Sequence, residues 1–228
     1  MSCSRRDFVS GASALAMVAG TGLATGSISL ASESEKKTIR YAMVHDEKAC
    51  IGCTACMDAC RETNQVPEGV SRLEIFRSQP YGEFPNVQYE FFRQSCQHCS
   101  NAPCVQVCPT GASFVDKETG IVDVNPDLCV GCQYCIAVCP YRVRFIHPEK
   151  KSADKCNFCR DTNLAQGKEP ACVEICPTKA LTFGDLNDPN SAVSVKIREN
   201  DTYRTKVHLG TEPNLYHISA NKQGVNNG

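Results

Sequence analysis

Residues 129–140 read CVGCQYCIAVCP, and this stretch decides what kind of fold the sequence encodes. Its cysteines are spaced as Cys129-x2-Cys132-x2-Cys135-x3-Cys139, and Pro140 follows the last one. Three thiols on one tight loop can hold one small metal cluster. A fourth thiol that lies four residues further along a helix is displaced by roughly 6 Å and can reach a second cluster. The proline ends such a helix, because it cannot extend it.

Three further groups vary this spacing. The first group repeats it, the second lengthens one gap to four residues, and the fourth lengthens the same gap to twelve. The four groups are Cys50/Cys53/Cys56/Cys60, Cys96/Cys99/Cys104/Cys108, Cys129/Cys132/Cys135/Cys139 and Cys156/Cys159/Cys172/Cys176. Such runs are typical of paired iron–sulfur clusters, in which the fourth cysteine of each run binds the other cluster. Arg61 stands where the other three groups place proline, and we expect it to loosen the turn after the first group.

Two other uses of the cysteines compete with this interpretation. Disulfides suit an exported protein, but a disulfide framework does not need four ligand-spaced quartets. Structural zinc uses facing CxxC pairs and has no use for the third cysteine of a CxxCxxC run. A metal-free, disulfide-stapled binding module therefore stays as a remote alternative.

Composition and the lack of other motifs narrow the function. A formal net charge of −1 over 228 residues gives no basic excess, so we expect no nucleic-acid partner. The sequence shows no nucleophile triad, phosphate loop or dinucleotide fingerprint. We therefore expect the chain to carry electrons within a larger oxidoreductase and not to act as an enzyme itself.

The first thirty-one residues have the layout of an export signal. Arg5 and Arg6 precede an uncharged stretch over residues 8–31 that is rich in alanine, glycine and serine. This pattern is typical of the twin-arginine route, which carries folded proteins and so suits one whose cofactors are inserted in the cytoplasm. A membrane anchor is the alternative, but the many glycines and serines disfavour it. After residue 31 there is no long apolar run, so we expect a periplasmic chain without a membrane span.

The segments between the cysteines predict short strands. Residues 39–44, 143–146 and 180–183 have strand character, and residues 110–115 and 121–124 predict a hairpin. The pairs CIGC/CVGC and CPTGA/CPTKA show an internal repeat. The sequence thus predicts an α+β, duplicated two-cluster (bacterial) ferredoxin-like fold of short strands and cysteine-bearing helices. Its expected parts are a signal at 1–31, a four-cluster domain at 32–184 and a C-terminal extension at 185–228.

The order of the four groups resembles the ferredoxin-like B subunits of the dimethyl-sulfoxide-reductase family. The run from His45 to Arg61, together with SCQHC at residues 95–99, is most similar to the exported iron–sulfur subunits of formate-dependent nitrite reductase systems. This resemblance implies electron relay from an integral-membrane quinol-oxidising subunit to a periplasmic multihaem cytochrome. The alternative is the B subunit of a molybdenum reductase for dimethyl sulfoxide, polysulfide or thiosulfate, with a molybdoenzyme catalytic subunit as partner.

The resemblance also implies which cysteines share a cluster. Cluster 1 would use Cys50, Cys53, Cys56 and Cys176, and cluster 2 would use Cys156, Cys159, Cys172 and Cys60. Cluster 3 would use Cys96, Cys99, Cys104 and Cys139, and cluster 4 would use Cys129, Cys132, Cys135 and Cys108. Some relatives replace one ligand with tryptophan and hold a three-iron cluster. The chain has no tryptophan, so four [4Fe-4S] clusters are expected.

Other residues carry weaker expectations. A local surplus of positive charge could raise cluster potentials or steer an acidic partner, and a plain solvated face is the alternative. Its members are Arg142, Arg144, Lys150, Lys151 and Lys155. The five histidines show no mutual ligand spacing, so surface or hydrogen-bonded positions are expected, with a cluster-modulating role open for His98. Residues 210–216 predict an extended stretch that either meets a membrane partner or closes one edge of the fold.

Overall fold

The computed structural model describes residues 38–220, which form short strands and short helices. The predicted signal, with Arg5 and Arg6, lies outside the described residues. The strands are β1 Tyr41–Asp46, β2 Leu73–Arg77, β3 Phe91–Ser95, β4 Ser113–Val115, β5 Val122–Val124, β6 Phe145–Ile146, β7 Ala153–Asp154, β8 Leu181–Asp185, β9 Thr202–Tyr203 and β10 Leu215–Ile218. The α-helices are α1 Ala55–Asn64, α2 Pro103–Gln106, α3 Tyr134–Ala137, α4 Ala171–Glu174 and α5 Ala192–Glu199. Single 3₁₀ turns occupy Pro126–Leu128, Leu164–Gln166 and Val207–Leu209.

The largest sheet joins the two ends of the described chain. Its order is β8-β1-β10-β9, and β1 pairs antiparallel with β8 and parallel with β10. The register places Met43 opposite Leu215 and His45 opposite His217. The residues after 184, predicted to form an extension, thus supply α5, β9 and an inner strand of this sheet.

Three two-stranded hairpins complete the strands. The predicted hairpin is confirmed as β4 and β5, and the strand character at 143–146 appears as β6, which pairs with β7. The hairpin of β2 and β3 has no counterpart in the sequence prediction. Its residues cover the first cysteine group, since Ile75 of β2 lines the same cavity as Cys50.

The cysteine-bearing helices pack in two pairs, α1 against α4 and α2 against α3. Three of them have only four residues, whereas α1 runs for ten. The expectation that Arg61 loosens the chain was wrong, because α1 continues through it. The Arg61 guanidinium then donates to the carbonyls of Val66 (3.1 Å) and Val70 (3.0 Å), and so fastens the loop after the helix.

Thiols take up much of the buried core. One core cluster joins Met43, Leu73 and Phe158 to the buried thiols of Cys60, Cys156 and Cys172, among others. A second cluster contains Cys99, Cys104 and Cys135, and a small third one packs Val193 of α5 against β1. The interior therefore depends on whatever the cysteines bind.

Within residues 38–220, no helix has the length and apolar character needed to cross a membrane.

Candidate metal centres

The first cavity lined by cysteines lies between the start of α1 and the end of the fourth group. Cys50, Cys53, Cys56 and Cys176 all line it, together with His45 and Ile75. The packing of α1 against α4 brings Cys176 to the first group across a long sequence separation. The backbone N–H of Ala180 donates to Cys176 Sγ over 3.3 Å, and Thr178 Oγ1 lies 3.8 Å from the same sulfur.

A second cavity repeats this arrangement in the other pair of helices. Cys129, Cys132 and Cys135 line it together with Cys108 from the second group. The N–H of Ser113 donates to Cys108 Sγ over 3.4 Å, and the N–H of Ala153 donates to Cys129 Sγ over 3.3 Å. Hydrogen bonds to sulfur stabilise the thiolate and raise the potential of a cluster bound to it.

Of the remaining eight cysteines, seven are buried in the interior and Cys139 is half-buried. Burial raises the pKa of Cys60, and the thiols of Cys156, Cys172 and Cys159 raise it further. In the other half, burial and the nearby thiols of Cys96, Cys104 and Cys139 raise the pKa of Cys99 to about 12. All sixteen described cysteines are free of disulfides, so the disulfide-stapled alternative was wrong for this part of the chain.

One backbone feature is shared by the four leading CxxC loops. The residue before the second cysteine has a left-handed conformation in each, with φ between 45° and 68°, and these residues are Gly52, His98, Gly131 and Phe158. At Gly52 a side chain is also excluded by packing, since an added Cβ would lie 2.2 Å from the Phe91 ring. This turn directs both thiols of the loop towards the same point.

The two non-glycine members of this set meet each other. The rings of His98 and Phe158 stack with their centroids 3.7 Å apart and an interplanar angle of 21°. Both side chains are fully buried, and they belong to the second and fourth cysteine groups. The stack therefore joins the two helix pairs at their inner cysteine loops.

Two buried arginines lie among the cysteines, one in each half. Arg93 of β3 donates from Nε to Ser95 Oγ (3.0 Å), while its Nη1 and Nη2 have no partner. Burial alone would lower the pKa of Arg93, but nearby thiols raise it above its ordinary value; they belong to Cys172, Cys156, Cys56 and Cys60. Arg144 donates from Nη2 to Ser113 Oγ (3.1 Å) and has an unpartnered Nη1.

Arg144 has the same kind of surroundings in the second half. Its pKa is raised despite burial by the thiols of Cys104, Cys96 and Cys135. A buried guanidinium with free N–H groups is costly unless an anion accepts them. Iron–sulfur clusters held by four thiolates are anionic and present sulfide acceptors, so the residues around the cysteines fit such a group.

The structure divides the predicted cationic set. Arg142, Lys150 and Lys151 are exposed, whereas Arg144 and Lys155 are buried, with 6% and 1% of their surface accessible. A docking role was wrong for the two buried residues, because an external partner cannot reach them. Lys155 Nζ instead donates to the carbonyls of Val122 and Cys156 and lies 3.6 Å from Asp123.

The prediction of surface or hydrogen-bonded positions holds for four of the five histidines and was wrong for His45. Of the five, His208 is exposed, whereas the others are buried and only His147 has an ordinary capping role, accepting from the N–H of Lys150 (3.2 Å). Both ring nitrogens of His45 have no partner. His98 accepts from the N–H of Val122 through Nδ1 (3.2 Å), which leaves its Nε2 without a partner.

Sequence reasoning also missed Arg93. Side chains alternate between the two faces of a strand, so Phe91, Arg93 and Ser95 lie on the same face of β3. This alternation is the feature of the sequence that could have indicated a functional position for Arg93. A cationic residue on a strand that leads directly into Cys96 could have been read from that pattern.

Comparison with known proteins agrees with this arrangement. Residues 49–112 and 87–186 each match a model of the 4Fe-4S dicluster domain. The chain is 75% identical to the NrfC homolog of Haemophilus influenzae over 95% of both chains, and 66% identical to NrfC of Escherichia coli K12 over 96% of both. It is 53% identical to the B subunit of polysulfide reductase from Wolinella succinogenes, over 81% of this chain and 96% of the relative.

The chain belongs to the NrfC family. The resemblance inferred from the sequence is therefore confirmed, and so is the cofactor prediction of four [4Fe-4S] clusters. Clusters of this kind take up and release single electrons at potentials set by charge, hydrogen bonds and solvent exposure. This member of the NrfC family is a ferredoxin-like electron-transfer protein.

Proposed function

We propose that the four clusters bind as the family resemblance implies. Cluster 1 takes Cys50, Cys53, Cys56 and Cys176; cluster 2 takes Cys156, Cys159, Cys172 and Cys60; cluster 3 takes Cys96, Cys99, Cys104 and Cys139; and cluster 4 takes Cys129, Cys132, Cys135 and Cys108. The two cysteine-lined cavities support the first and last sets, because each contains one cysteine from a distant group. The proximity of Cys60 to Cys156 and of Cys99 to Cys139 supports the other two.

These sets place the clusters in two pairs, and the His98–Phe158 stack lies where the pairs meet. In the first pair, α1 carries both Cys56 of cluster 1 and Cys60 of cluster 2. In the second pair, α3 carries Cys135 of cluster 4, and Cys139 of cluster 3 follows two residues after its end. A separation of four residues in each case keeps the clusters of a pair on the order of 10 Å apart. Such spacing allows electrons to pass between the two clusters of each pair.

The chain relays electrons from a quinol-oxidising membrane subunit to a periplasmic multihaem cytochrome in formate-dependent nitrite reduction. The observation that carries this proposal is the identity with NrfC proteins along nearly the whole chain, including the region around the first cysteine group. The protein itself performs no substrate chemistry in this role.

The place of action is the periplasm, where the chain is held at the inner membrane by its partner. The support is the paired Arg5 and Arg6 in front of an uncharged segment, which resembles a twin-arginine signal. Export in the folded state is consistent with a core that contains so many cysteines, because clusters must be inserted before the interior can close.

A second candidate is the electron-transfer subunit of a molybdenum reductase. It is favoured by the 53% identity to the B subunit of a polysulfide reductase. In that case the acceptor partner would be a molybdoenzyme catalytic subunit in place of the cytochrome.

Deletion of the gene distinguishes the two candidates. Anaerobic cells are supplied with formate, and the reduction of nitrite, dimethyl sulfoxide, polysulfide and thiosulfate is measured in the deletion strain and after complementation. Loss of nitrite reduction alone is expected. Intact nitrite reduction with loss of another acceptor would overturn the nitrite proposal and support the molybdoenzyme role.

A further inference from the structure

Three potential ligand residues outside the cysteine groups meet on one side of the main sheet. His45 of β1 and His217 of β10 are direct partners in the parallel register, and Glu47 lies two residues beyond His45, so the three share a face. The pairing extends to Glu47, whose backbone N–H donates to the Ile218 carbonyl over 3.1 Å. One ligand atom from each side chain lies within 4.8 Å of one from each of the others.

Several polar atoms of these three side chains have no hydrogen-bond partner. Glu47 Oε1 is taken up by Tyr203, which donates to it over 2.5 Å, and by His217 Nδ1 at 3.1 Å. Glu47 Oε2, His217 Nε2 and both ring nitrogens of His45 are buried without any partner. Each of the three residues has no more than 3% of its surface accessible.

Buried acceptors without partners are costly, and a cation would satisfy Glu47 Oε2, His217 Nε2 and one of the two ring nitrogens of His45. Two imidazoles and one carboxylate form a ligand set that binds Zn²⁺ with a further position left for water. The hydrogen bond between His217 Nδ1 and Glu47 Oε1 orients the histidine so that Nε2 is the free nitrogen, as in many metal-binding histidines. The polar groups are thus arranged as ligands with their supporting partners.

A route to the group also exists. His217 and Tyr203 line a surface cavity that Phe76, Gln94 and Lys206 also border. Arg93 lines this cavity as well, and its positive charge opposes a cation there. That opposition is reduced because the guanidinium also lies near the thiols of both predicted clusters of the first pair.

We propose that His45, Glu47 and His217 bind one divalent cation of the zinc class beside cluster 1. His45 also lines the cavity of Cys50 and Cys176, so the cation would add positive charge next to that cluster and make it easier to reduce. The site is separate from the four cysteine sets and does not depend on which acceptor the protein serves.

The test uses the full-length protein with its clusters intact, kept anaerobic and equilibrated with ZnCl₂. Zinc per chain is measured after removal of free metal, and the zinc K-edge X-ray absorption spectrum reports the ligands. We expect one zinc per chain with nitrogen and oxygen neighbours at about 2.0–2.2 Å. Glu47→Gln should weaken zinc binding at least tenfold, whereas His208→Gln, which alters an exposed histidine, should leave it unchanged.

Several results would overturn the proposal. The first is that the protein retains no zinc. The second is a spectrum with sulfur neighbours at about 2.3 Å, which would place the metal on cysteines. The third is that Glu47→Gln and His208→Gln bind zinc equally well. Cluster absorbance near 400 nm shows whether each variant is folded. If Glu47→Gln loses its clusters, the wild-type spectrum decides, because imidazole scattering is either present or absent.

Discussion

Replacing Arg93 with glutamine should make the first cluster pair harder to reduce. The guanidinium is buried among thiols of both predicted clusters of that pair, and reduction adds negative charge to a cluster that is already anionic. Removing a nearby positive charge therefore lowers the potential. Arg93→Lys keeps the charge and should restore most of the difference.

The size of the shift follows from Coulomb's law. At a separation of about 6 Å and an effective dielectric constant of about 20, one charge contributes roughly 2.8 kcal/mol. Because about 1.4 kcal/mol corresponds to about 59 mV for one electron, the potential falls by roughly 120 mV, or by roughly 60 mV if the dielectric constant is about twice as large.

An EPR-monitored redox titration of the protein with all four clusters measures this. Arg144→Gln is the matched control, since Arg144 lies among thiols of the other pair. We expect the midpoint potentials of clusters 1 and 2 to fall in Arg93→Gln, and those of clusters 3 and 4 to fall in Arg144→Gln. Equal shifts of all four clusters, no shift in either variant, or no recovery with lysine would refute the assignment of these charges to separate pairs.

The other predictions concern the surface, the loop turns and a ligand. Replacing the exposed Lys150 and Lys151 together with glutamine should slow electron transfer to the partner at low salt, as measured by stopped-flow absorbance. The difference from the wild-type rate should vanish at high salt, because salt screens the charges. Equal rates at every ionic strength would exclude a docking role. Gly52→Ala should lose cluster 1, measured as iron per chain, because the added methyl group meets the Phe91 ring. Gly167 has a similar positive φ but open space around it, so Gly167→Ala should keep its full iron content and lower the free energy of unfolding in urea by only about 1–2 kcal/mol. Equal behaviour of the two variants would contradict the packing argument. Cys176→Ser should alter the EPR spectrum of the cluster held by the first group and leave the fourth group's own cluster in place, whereas loss of the latter would contradict the exchanged ligand set.

The local part of the structure could be predicted well from the sequence. The CxxC and CxxxC spacings within each cysteine group fix a loop and a helix turn over a few residues, so the cluster content could be predicted, and the alternating residues of 110–124 gave the hairpin of β4 and β5. The same holds for the strand character that became β1 and β8, although β1 begins and ends two residues later than predicted, and β8 begins one residue and ends two residues later.

The rest depends on contacts between distant residues. The sequence predicts Arg144 and Lys155 as part of a basic surface because charged residues are usually exposed. Their burial depends on distant partners, which are Ser113 for Arg144 and Val122 for Lys155. His45 and His217 show no ligand spacing in the sequence, because they are brought together only by the parallel pairing of β1 with β10. The β2–β3 hairpin, with Arg93, was missed because no turn motif of the kind that marks a short hairpin joins its strands.

The position of β10 between β1 and β9 also bears on when the protein can fold during synthesis. Strand β1 is among the first described residues to leave the ribosome, yet its parallel neighbour is complete only at Ile218. A nascent chain therefore holds β1 with one side of its backbone unpaired until nearly all of the described residues have been made. The main sheet is thus completed only after Ile218 has been made, and a chain that stops before Leu215 would lack an inner strand and leave β1 open to pairing with other chains.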